Sequence, residues 1–181
     1  LEKIEDKGLL IFNNGQTIKC KNIVLTGGSH KKVGLNEVLY NSVKNIYFES
    51  DIKIENGKYI HLFPKDNIIN NVAVLNQVSR SYSKSNSLLS ISVIGHDLKD
   101  RLDINQLRKK LANYFGGNNS NYEWVKSFYI KNATIKQKTN YFDSNTFSPT
   151  KGLIIAGDHS FYGSIEGAVL SGVNASKKIL N

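Results

Sequence analysis

The sequence predicts an α/β (α+β) fold, because it contains two kinds of segment with different patterns. Near the C-terminus, the apolar run 152–156 has the length of a buried strand and stops at Gly157-Asp158. After a short polar connection, Ile165–Leu180 has the pattern of a helix. The middle of the chain contains short runs in which apolar and polar residues alternate, which is typical of antiparallel sheet. We therefore expect a strand–turn–helix unit and an antiparallel sheet in one chain.

The start of the last helix is a candidate anion-binding site. Ser164 stands where an N-cap is expected, because serine accepts hydrogen bonds from the amides of the first turn. The backbone N–H groups of a helix start can then meet an anion. Small side chains also recur every three or four residues, a spacing that suits either tight helix–sheet packing or a cofactor lying across the helix start. This small-residue stripe consists of Ser164, Ala168, Gly172 and Ala175 or Ser176.

Residues 156–176, AGDHSFYGSIEGAVLSGVNAS, resemble the C-terminal flavin-binding signature of the FAD-dependent amine oxidase and carotenoid desaturase superfamily. That signature is an apolar strand, Ala-Gly-Asp or Ala-Gly-Glu, a variable loop and a Gly-Ala-x-x-Ser-Gly helix. The resemblance implies that the chain holds the C-terminal part of an FAD/NAD(P)-binding Rossmann-like domain and that its cofactor is FAD. The Gly-rich fingerprint G-x-G-x-x-G, which the family carries near its N-terminus, does not occur in the sequence.

The resemblance also implies roles for individual residues. Gly157 would let the flavin approach the backbone, and Asp158 would hydrogen-bond its ribityl or phosphate region. The N–H groups of the helix start would face the pyrimidine end of the flavin ring and stabilise the anion of the reduced flavin. Glu166 has the alternative role of a carboxylate that simply stabilises the first turn. The predicted cofactor-binding residues are Gly157, Asp158, Ser164, Ile165, Glu166, Gly167 and Ala168.

No catalytic acid or base can be named from the sequence. The four histidines are isolated from one another, and His159, beside the predicted cofactor turn, is expected to be an exposed loop residue. No spacing of cysteine and histidine resembles a metal site. The sequence therefore predicts no metal site, and it assigns no catalytic residues.

The first 33 residues are predicted to form part of the FAD-binding domain. Asn13-Asn14-Gly15 lies between the runs 8–12 and 17–20, which is a strong hairpin signal. The apolar run 23–25 then ends at Thr26-Gly27-Gly28, either an ordinary strand-end turn or, as the resemblance implies, a turn beside the flavin. Cys20 is expected to be a small, buried or half-buried residue.

Residues 34–135 are predicted to form the inserted antiparallel substrate domain that the resemblance implies, and residues 136–181 return to the FAD-binding domain. Residues 34–42 can form a short helix. Residues 104–115 follow helical spacing and end at Gly116-Gly117. Trp124, in a segment that resembles the family's return to the flavin domain, is expected in the core, with stacking on a substrate as the alternative. The predicted strands are 45–49, 58–63, 67–77 and 88–94, and residues 122–133 form the return segment that the resemblance implies.

Composition limits the classes of function. The net charge is +9, but the lysines are scattered and no basic stripe is interleaved with aromatic residues, so we expect no nucleic-acid partner. No apolar run is long enough to span a bilayer. A single cysteine cannot form an internal disulfide, and we expect a cytoplasmic location. The sequence contains no methionine, so we expect a fragment or processed portion of a longer protein.

These observations lead to one main hypothesis and one alternative. The chain would be a fragment of an FAD-dependent oxidoreductase, similar to amine oxidases and desaturases, that transfers a hydride equivalent from a small-molecule substrate to flavin. The N-terminal half of the parent protein would be its missing partner, and the fragment alone would be inactive and bind flavin poorly. Alternatively, the chain is a non-catalytic binding module without tight flavin binding. Exposed sheet edges could also lead the fragment to self-associate.

Overall fold

The computed structural model describes residues 2–5, 8–27, 38–55, 58–94, 102–137 and 152–180. The chain divides into a terminal unit, made of Leu1–Tyr40 and Ile135–Asn181, and a middle unit, Asn41–Thr134. The assignment of residues 1–33 and 136–181 to a cofactor domain, and of 34–135 to a substrate domain, stays a prediction.

Ten strands and three α-helices lie in the described part of the chain. The strands are β1 (Lys3–Glu5), β2 (Leu9–Ile11), β3 (Thr17–Lys19), β4 (Ile23–Thr26), β5 (Tyr40–Ser50), β6 (Ile60–Leu62), β7 (Asn71–Val74), β8 (Ser87–Ile94), β9 (Tyr122–Ile135) and β10 (Leu153–Ala156). The helices are α1 (Leu75–Val78), α2 (Ile104–Phe115) and α3 (Ile165–Leu180).

The terminal unit is built around two parallel strands, β4 and β10, which pair from Ile23 with Leu153 to Thr26 with Ala156. All four residues of β10 are buried, as expected for a strand covered on both faces. Ile154 and Ala156 pack against Ala175 of α3. The residues Ile23, Leu25 and Leu153 pack instead against the small sheet of β1, β2 and β3.

The predicted hairpin of the terminal unit is confirmed. Strands β2 and β3 pair antiparallel, and β1 adds a third strand beside β2. Gly15 has a φ of 80° and donates its amide to the carbonyl of Phe12 at 2.9 Å. A glycine is favoured at this turn because that backbone conformation is costly for other residues. Cys20 is half-buried, as predicted.

The middle unit is a five-stranded sheet, in the order β6-β7-β8-β5-β9, with α2 packed against it. The registers place Ile46 opposite Ile91 and Phe48 opposite Leu89 on one face of the sheet. Leu107 and Leu111 are the buried residues of α2. Full burial of each such side chain stabilises the folded state by about 1.5–3 kcal/mol. Along β8, buried positions alternate with less buried ones, which confirms the alternation that the sequence predicts.

Helix α2 begins and ends as its sequence predicts. The side chain of Asp103 accepts a hydrogen bond from the amide of Asn105 at 2.9 Å, and Gly116 follows the helix with a φ of 89°. The loop after β6 is tied to this helix by Asp66, whose side chain is only 1% exposed. Asp66 Oδ2 accepts from Lys110 Nζ at 2.7 Å and also from the hydroxyl of Tyr114.

Asp66 also organises its own loop. Its Oδ1 accepts from the amides of Ile68 and Ile69 at 2.7 and 2.8 Å. Burial favours the neutral acid, but the hydrogen bonds from Lys110, Tyr114 and these two amides outweigh burial and hold the pKa of Asp66 well below its usual range. The bond to Asp66, in turn, raises the pKa of Tyr114.

Three predictions for the middle unit differ from the structure. Residues 40–42 begin β5 and are not helical, because they belong to the extended strand that lies between β8 and β9 in the sheet; residues 34–37 of the predicted helix, like the Asn56-Gly57 turn, lie outside the described residues. The predicted strand 67–77 shrinks to Asn71–Val74, because Asp66 holds Ile68 and Ile69 in a turn before it and α1 follows it. Trp124 is 44% exposed on the edge strand β9 and is not a core residue.

Candidate functional site

The turn after β10 is held by a buried hydroxyl. Gly157 has a φ of 147°, and its amide donates to Ser171 Oγ at 2.7 Å. Ser171 is fully buried within α3, and its own hydroxyl donates to the carbonyl of Ala168 at 2.9 Å. One side chain thus satisfies the turn amide and fixes the turn to the helix. Because the Gly157 amide is already used, it is not a donor for a ligand.

The start of α3 presents two backbone donors. Ser164 is the N-cap, as predicted: its Oγ accepts from the amide of Gly167 at 2.9 Å, and its carbonyl accepts from the amide of Ala168 at 3.0 Å. Among the described residues, the amides of Ile165 and Glu166 have no acceptor. Ile165 is 88% exposed, so this end of the helix is open to a ligand. The positive end of the helix dipole favours an anion or a carbonyl oxygen there.

A close backbone contact requires glycine at position 167. A Cβ built on Gly167 would lie 2.0 Å from the carbonyl oxygen of Tyr162, which is a collision that no side chain can relieve. Burial, together with the charge of the Glu166 carboxylate, raises the pKa of Tyr162. Glu166 therefore acts electrostatically on Tyr162, in addition to its place in the first turn of α3.

His159 does not behave as predicted. The 3₁₀ turn Asp158–Ser160 carries its ring inward, so the side chain is 5% exposed and the predicted exposed loop histidine is wrong. A Cβ on Gly157 would meet the His159 ring at 2.6 Å, so the chain's own ring fills the space beside this glycine. The Nδ1 of His159 lies 3.9 Å from Oδ1 of Asp158. The Asp158 side chain is 37% exposed, which leaves its carboxylate able to accept further hydrogen bonds.

The two parallel strands end at the same edge of their sheet. Thr26 pairs with Ala156, and the amide nitrogen of Gly27 is 3.8 Å from a Cβ built on Gly157. Ligands in α/β folds bind outside the carboxyl ends of parallel strands. The predicted turns after β4 and β10 are therefore brought together, although Gly28 lies outside the described residues.

Comparison with known proteins identifies the family. The family model for flavin-containing amine oxidoreductases matches residues 6–180. The chain belongs to this family. A comparison with curated proteins found no match.

Solved structures share the fold of this flavin-containing amine oxidoreductase chain. Reduced UDP-galactopyranose mutase aligns with a TM-score of 0.74 and 14% identity, over 99% of this chain and 46% of that protein. The PF1083 protein of Pyrococcus furiosus has a TM-score of 0.67 and 11% identity, over 96% and 44%. An oxidoreductase from Methanosarcina mazei has a TM-score of 0.65 and 14% identity, over 94% and 48%. The chain thus spans less than half the length of each of these proteins.

The small-residue stripe of the family helix is displaced from its predicted position. Gly167, Ser171 and Ala175 are the residues that α3 buries, whereas Ala168, Gly172 and Ser176 are exposed. A Cβ on Gly172 would meet nothing within 4 Å. Of the predicted stripe, only Ala175 packs on the sheet. A spacing of three or four residues describes several neighbouring faces of such a helix, and the strand beneath it decides which face is buried.

Two residues of the site were missed by sequence reasoning. Gln137 Oε1 accepts from the amide of Gly163 at 2.8 Å, and its Nε2 donates to the carbonyl of Phe161 at 3.5 Å. Gln137 has no local pattern that marks it. Ser171 did have a signal, because it is the serine of Gly-Ala-x-x-Ser-Gly and serine inside a helix is unusual unless its hydroxyl is used.

Two further findings concern ligands and membranes. Within the described ranges, no three His, Cys, Asp or Glu side chains come close enough to hold a metal ion. None of the described helices combines the length and the hydrophobicity needed to cross a bilayer. What the site offers chemically is a pair of exposed backbone donors, at Ile165 and Glu166, near the half-exposed carboxylate of Asp158.

Proposed function

We propose that this chain forms the flavin-ring side of an FAD-dependent oxidoreductase, in which a small-molecule substrate gives up a hydride equivalent. The observation that carries the proposal is the open N-terminus of α3, with two amides lacking an acceptor among the described residues, next to the turn that follows a buried parallel strand. Membership of a flavin-containing family supports it. FAD, when bound, would supply the electron-accepting chemistry.

The described residues fit such a cofactor, with roles sharper than the sequence alone implied. The amides of Ile165 and Glu166 would donate to the pyrimidine end of the flavin ring. The Asp158 carboxylate would accept from the ribityl hydroxyl groups. The remaining predicted residues would act by shaping the turn and the helix start, because their polar groups are already paired within the chain: Gly157, Ser164, Gly167 and Ala168.

We further propose that the terminal unit is the C-terminal part of a Rossmann-like FAD/NAD(P)-binding domain and that the middle unit is the substrate domain. The missing N-terminal half of a parent protein would then hold the adenine end of FAD. The run 164–172 is especially similar to desaturase-like members of the family, and amine, carotenoid, porphyrinogen and nicotinamide-type substrates are all compatible with the proposal. A cytoplasmic location stays part of the proposal, supported by the single cysteine.

The alternative is a binding module that keeps the fold but binds flavin weakly. Its supporting observation is that no G-x-G-x-x-G occurs in these 181 residues. The two proposals differ in a visible property. An oxidoreductase purified with its N-terminal half will be yellow and release about one FAD per chain on denaturation, whereas a colourless protein that takes up no added FAD would reject the first proposal.

Two glycines of α3 give a matched test of the site. We expect Gly167→Ala to lower the bound FAD at least about tenfold, since the new methyl group collides with the Tyr162 carbonyl and must displace the helix start. Gly172→Ala adds the same methyl group in open space and is expected to leave FAD content unchanged. Visible absorbance of the parent protein, purified together with its N-terminal half, measures the FAD content of both variants. Equal FAD content in the two variants would show that the helix start does not hold the flavin.

A further inference from the structure

One edge of the five-stranded sheet is long and apolar. Strand β9 forms this edge in the described part of the chain, and nearly every side chain along it is at least partly exposed, on both faces. An edge strand offers a row of unpaired backbone groups to any other strand. The exposed apolar side chains of this edge are Trp124, Val125, Phe128, Tyr129 and Ile130.

The opposite edge of the same sheet is much less suited to pairing. Strand β6 is only three residues long, and Pro64 follows soon after it. Short strands and nearby prolines are the usual protection of sheet edges. Strand β9 has fourteen residues and no proline. The exposed edge of β9 is therefore a candidate site for pairing with another strand, and the charges on β9 indicate what kind of strand that is.

The charges on β9 complement each other only between two chains. The strand carries one acid, Glu123, and two bases, Lys126 and Lys131. Glu123 and Lys131 are about 27 Å apart along the strand at about 3.4 Å per residue, so they cannot meet within one chain. Neither forms an ion pair with another described residue. If two β9 strands pair antiparallel with Ser127 at the centre, Glu123 of each copy lies opposite Lys131 of the other.

The same register brings the apolar residues together. It places Trp124 opposite Ile130 and Val125 opposite Tyr129, and cross-strand pairs of aromatic and aliphatic side chains stabilise sheets. Lys126 comes opposite Phe128, a contact that the single chain already makes, with the Lys126 Nζ 5.0 Å from the ring centre. The other register that gives Glu123 a lysine partner pairs it with Lys126, and it overlaps only residues 122–127 instead of 122–132.

We propose that β9 pairs antiparallel with β9 of a second copy of this chain, about a two-fold axis at Ser127, and so joins two five-stranded sheets into one. A two-fold axis makes the contact self-complementary and closed, because each pair occurs twice. The dimer goes beyond the proposed function and does not depend on flavin, so the two can fail separately.

The test is the mass of the 181-residue chain in solution, measured by sedimentation over a range of concentrations, for Glu123→Lys, Lys131→Glu, both together, and an equimolar mixture of the single variants. Each single reversal turns two attractive pairs into two repulsive ones, and we expect the dimer dissociation constant to rise at least about tenfold. The double variant restores both attractions. The mixture restores attraction at both sites of the heterodimer, because the lysine introduced in one chain faces the glutamate introduced in the other, and the remaining Lys131 of the first chain faces the remaining Glu123 of the second.

The controls separate pairing from folding and from net charge. Lys109→Glu changes an exposed lysine of α2 by the same charge and should leave the dimer unchanged. Circular dichroism establishes that each variant is folded. A wild-type chain that is a monomer at all concentrations would overturn the proposal. So would a dimer that is indifferent to both reversals, or a mixture that associates no better than its two components.

Discussion

The two units of this chain obtain their geometry from different kinds of contact. In the middle unit, large side chains such as Phe48, Leu89 and Leu111 fill the space between a sheet and a helix. In the terminal unit, the turn after β10 is set by small groups: the hydroxyl of Ser171 and the missing side chain of Gly167. The geometry of the middle unit depends on many apolar contacts of similar strength, whereas that of the terminal turn depends on one hydroxyl group and one missing side chain. Substitutions in the two units should therefore differ in the size and in the kind of their effects.

The largest effect is expected in the middle unit. Phe48 is fully buried, and Phe48→Ala should lower the free energy of unfolding of this unit by about 3–5 kcal/mol, because it removes apolar contacts and leaves a cavity. Urea denaturation followed by the fluorescence of Trp124 measures this. Tyr82→Ala is the matched control, since Tyr82 is a largely exposed aromatic residue outside β9. A similar loss in both variants would contradict the role of burial.

This core was largely predictable from the sequence, and the reason is physical. Alternation along β8 and the helical spacing of Leu107 and Leu111 each report which face is apolar, and a buried face must be apolar. Trp124 shows where such reasoning ends. A large aromatic side chain such as that of Trp124 favours burial. Its strand, however, lies at the edge of the sheet and has a neighbouring strand on only one side, and the order of strands is a property of the whole sheet that the local sequence does not reveal.

A smaller effect is expected at the polar contact that ties a loop to α2. Asp66→Asn keeps an oxygen for the amides of Ile68 and Ile69 but loses the ion pair with Lys110. Hydrogen bonds to charged groups contribute about 1.5–3 kcal/mol, and we expect a loss within that range. Urea denaturation at pH 7 gives the value, with Asp103→Asn, an exposed N-cap acid, as the comparison.

The same substitution has a pH signature. The pKa of Asp66 is lower in the folded than in the unfolded protein, so the folded state binds its proton more weakly. The carboxylate therefore stabilises the fold fully above the unfolded value of about 4, and this contribution is lost as the pH falls below it. Asp66→Asn should flatten the decline of stability below a pH of about 4. An unchanged decline would show that other carboxylates cause it.

The terminal site was predicted in its elements but not in its contacts. The apolar run, the glycine and Ser164 indicated the strand, the turn and the N-cap, because each depends on neighbours in sequence. The burial of His159 could not be predicted that way, since it depends on the positive φ of Gly157 and on the space that its missing side chain leaves for the His159 ring. Gln137 escaped notice because it reaches the loop from a part of the chain 26 residues away.

The smallest effect, and the most local, is expected at Ser171. Ser171→Ala removes the acceptor of the Gly157 amide, which costs about 1 kcal/mol because the amide is only half-buried and can partly recover a bond to water. The Gly157 amide should then exchange its hydrogen for deuterium about five times faster, since about 1.4 kcal/mol corresponds to a factor of ten and about 1 kcal/mol to a factor of five. Ser176→Ala is the matched control: that hydroxyl only donates to the carbonyl of Val173 on the exposed face of α3. If the Gly157 amide exchanges at the same rate in both variants, the turn is held by the backbone of β10 and not by the helix beneath it.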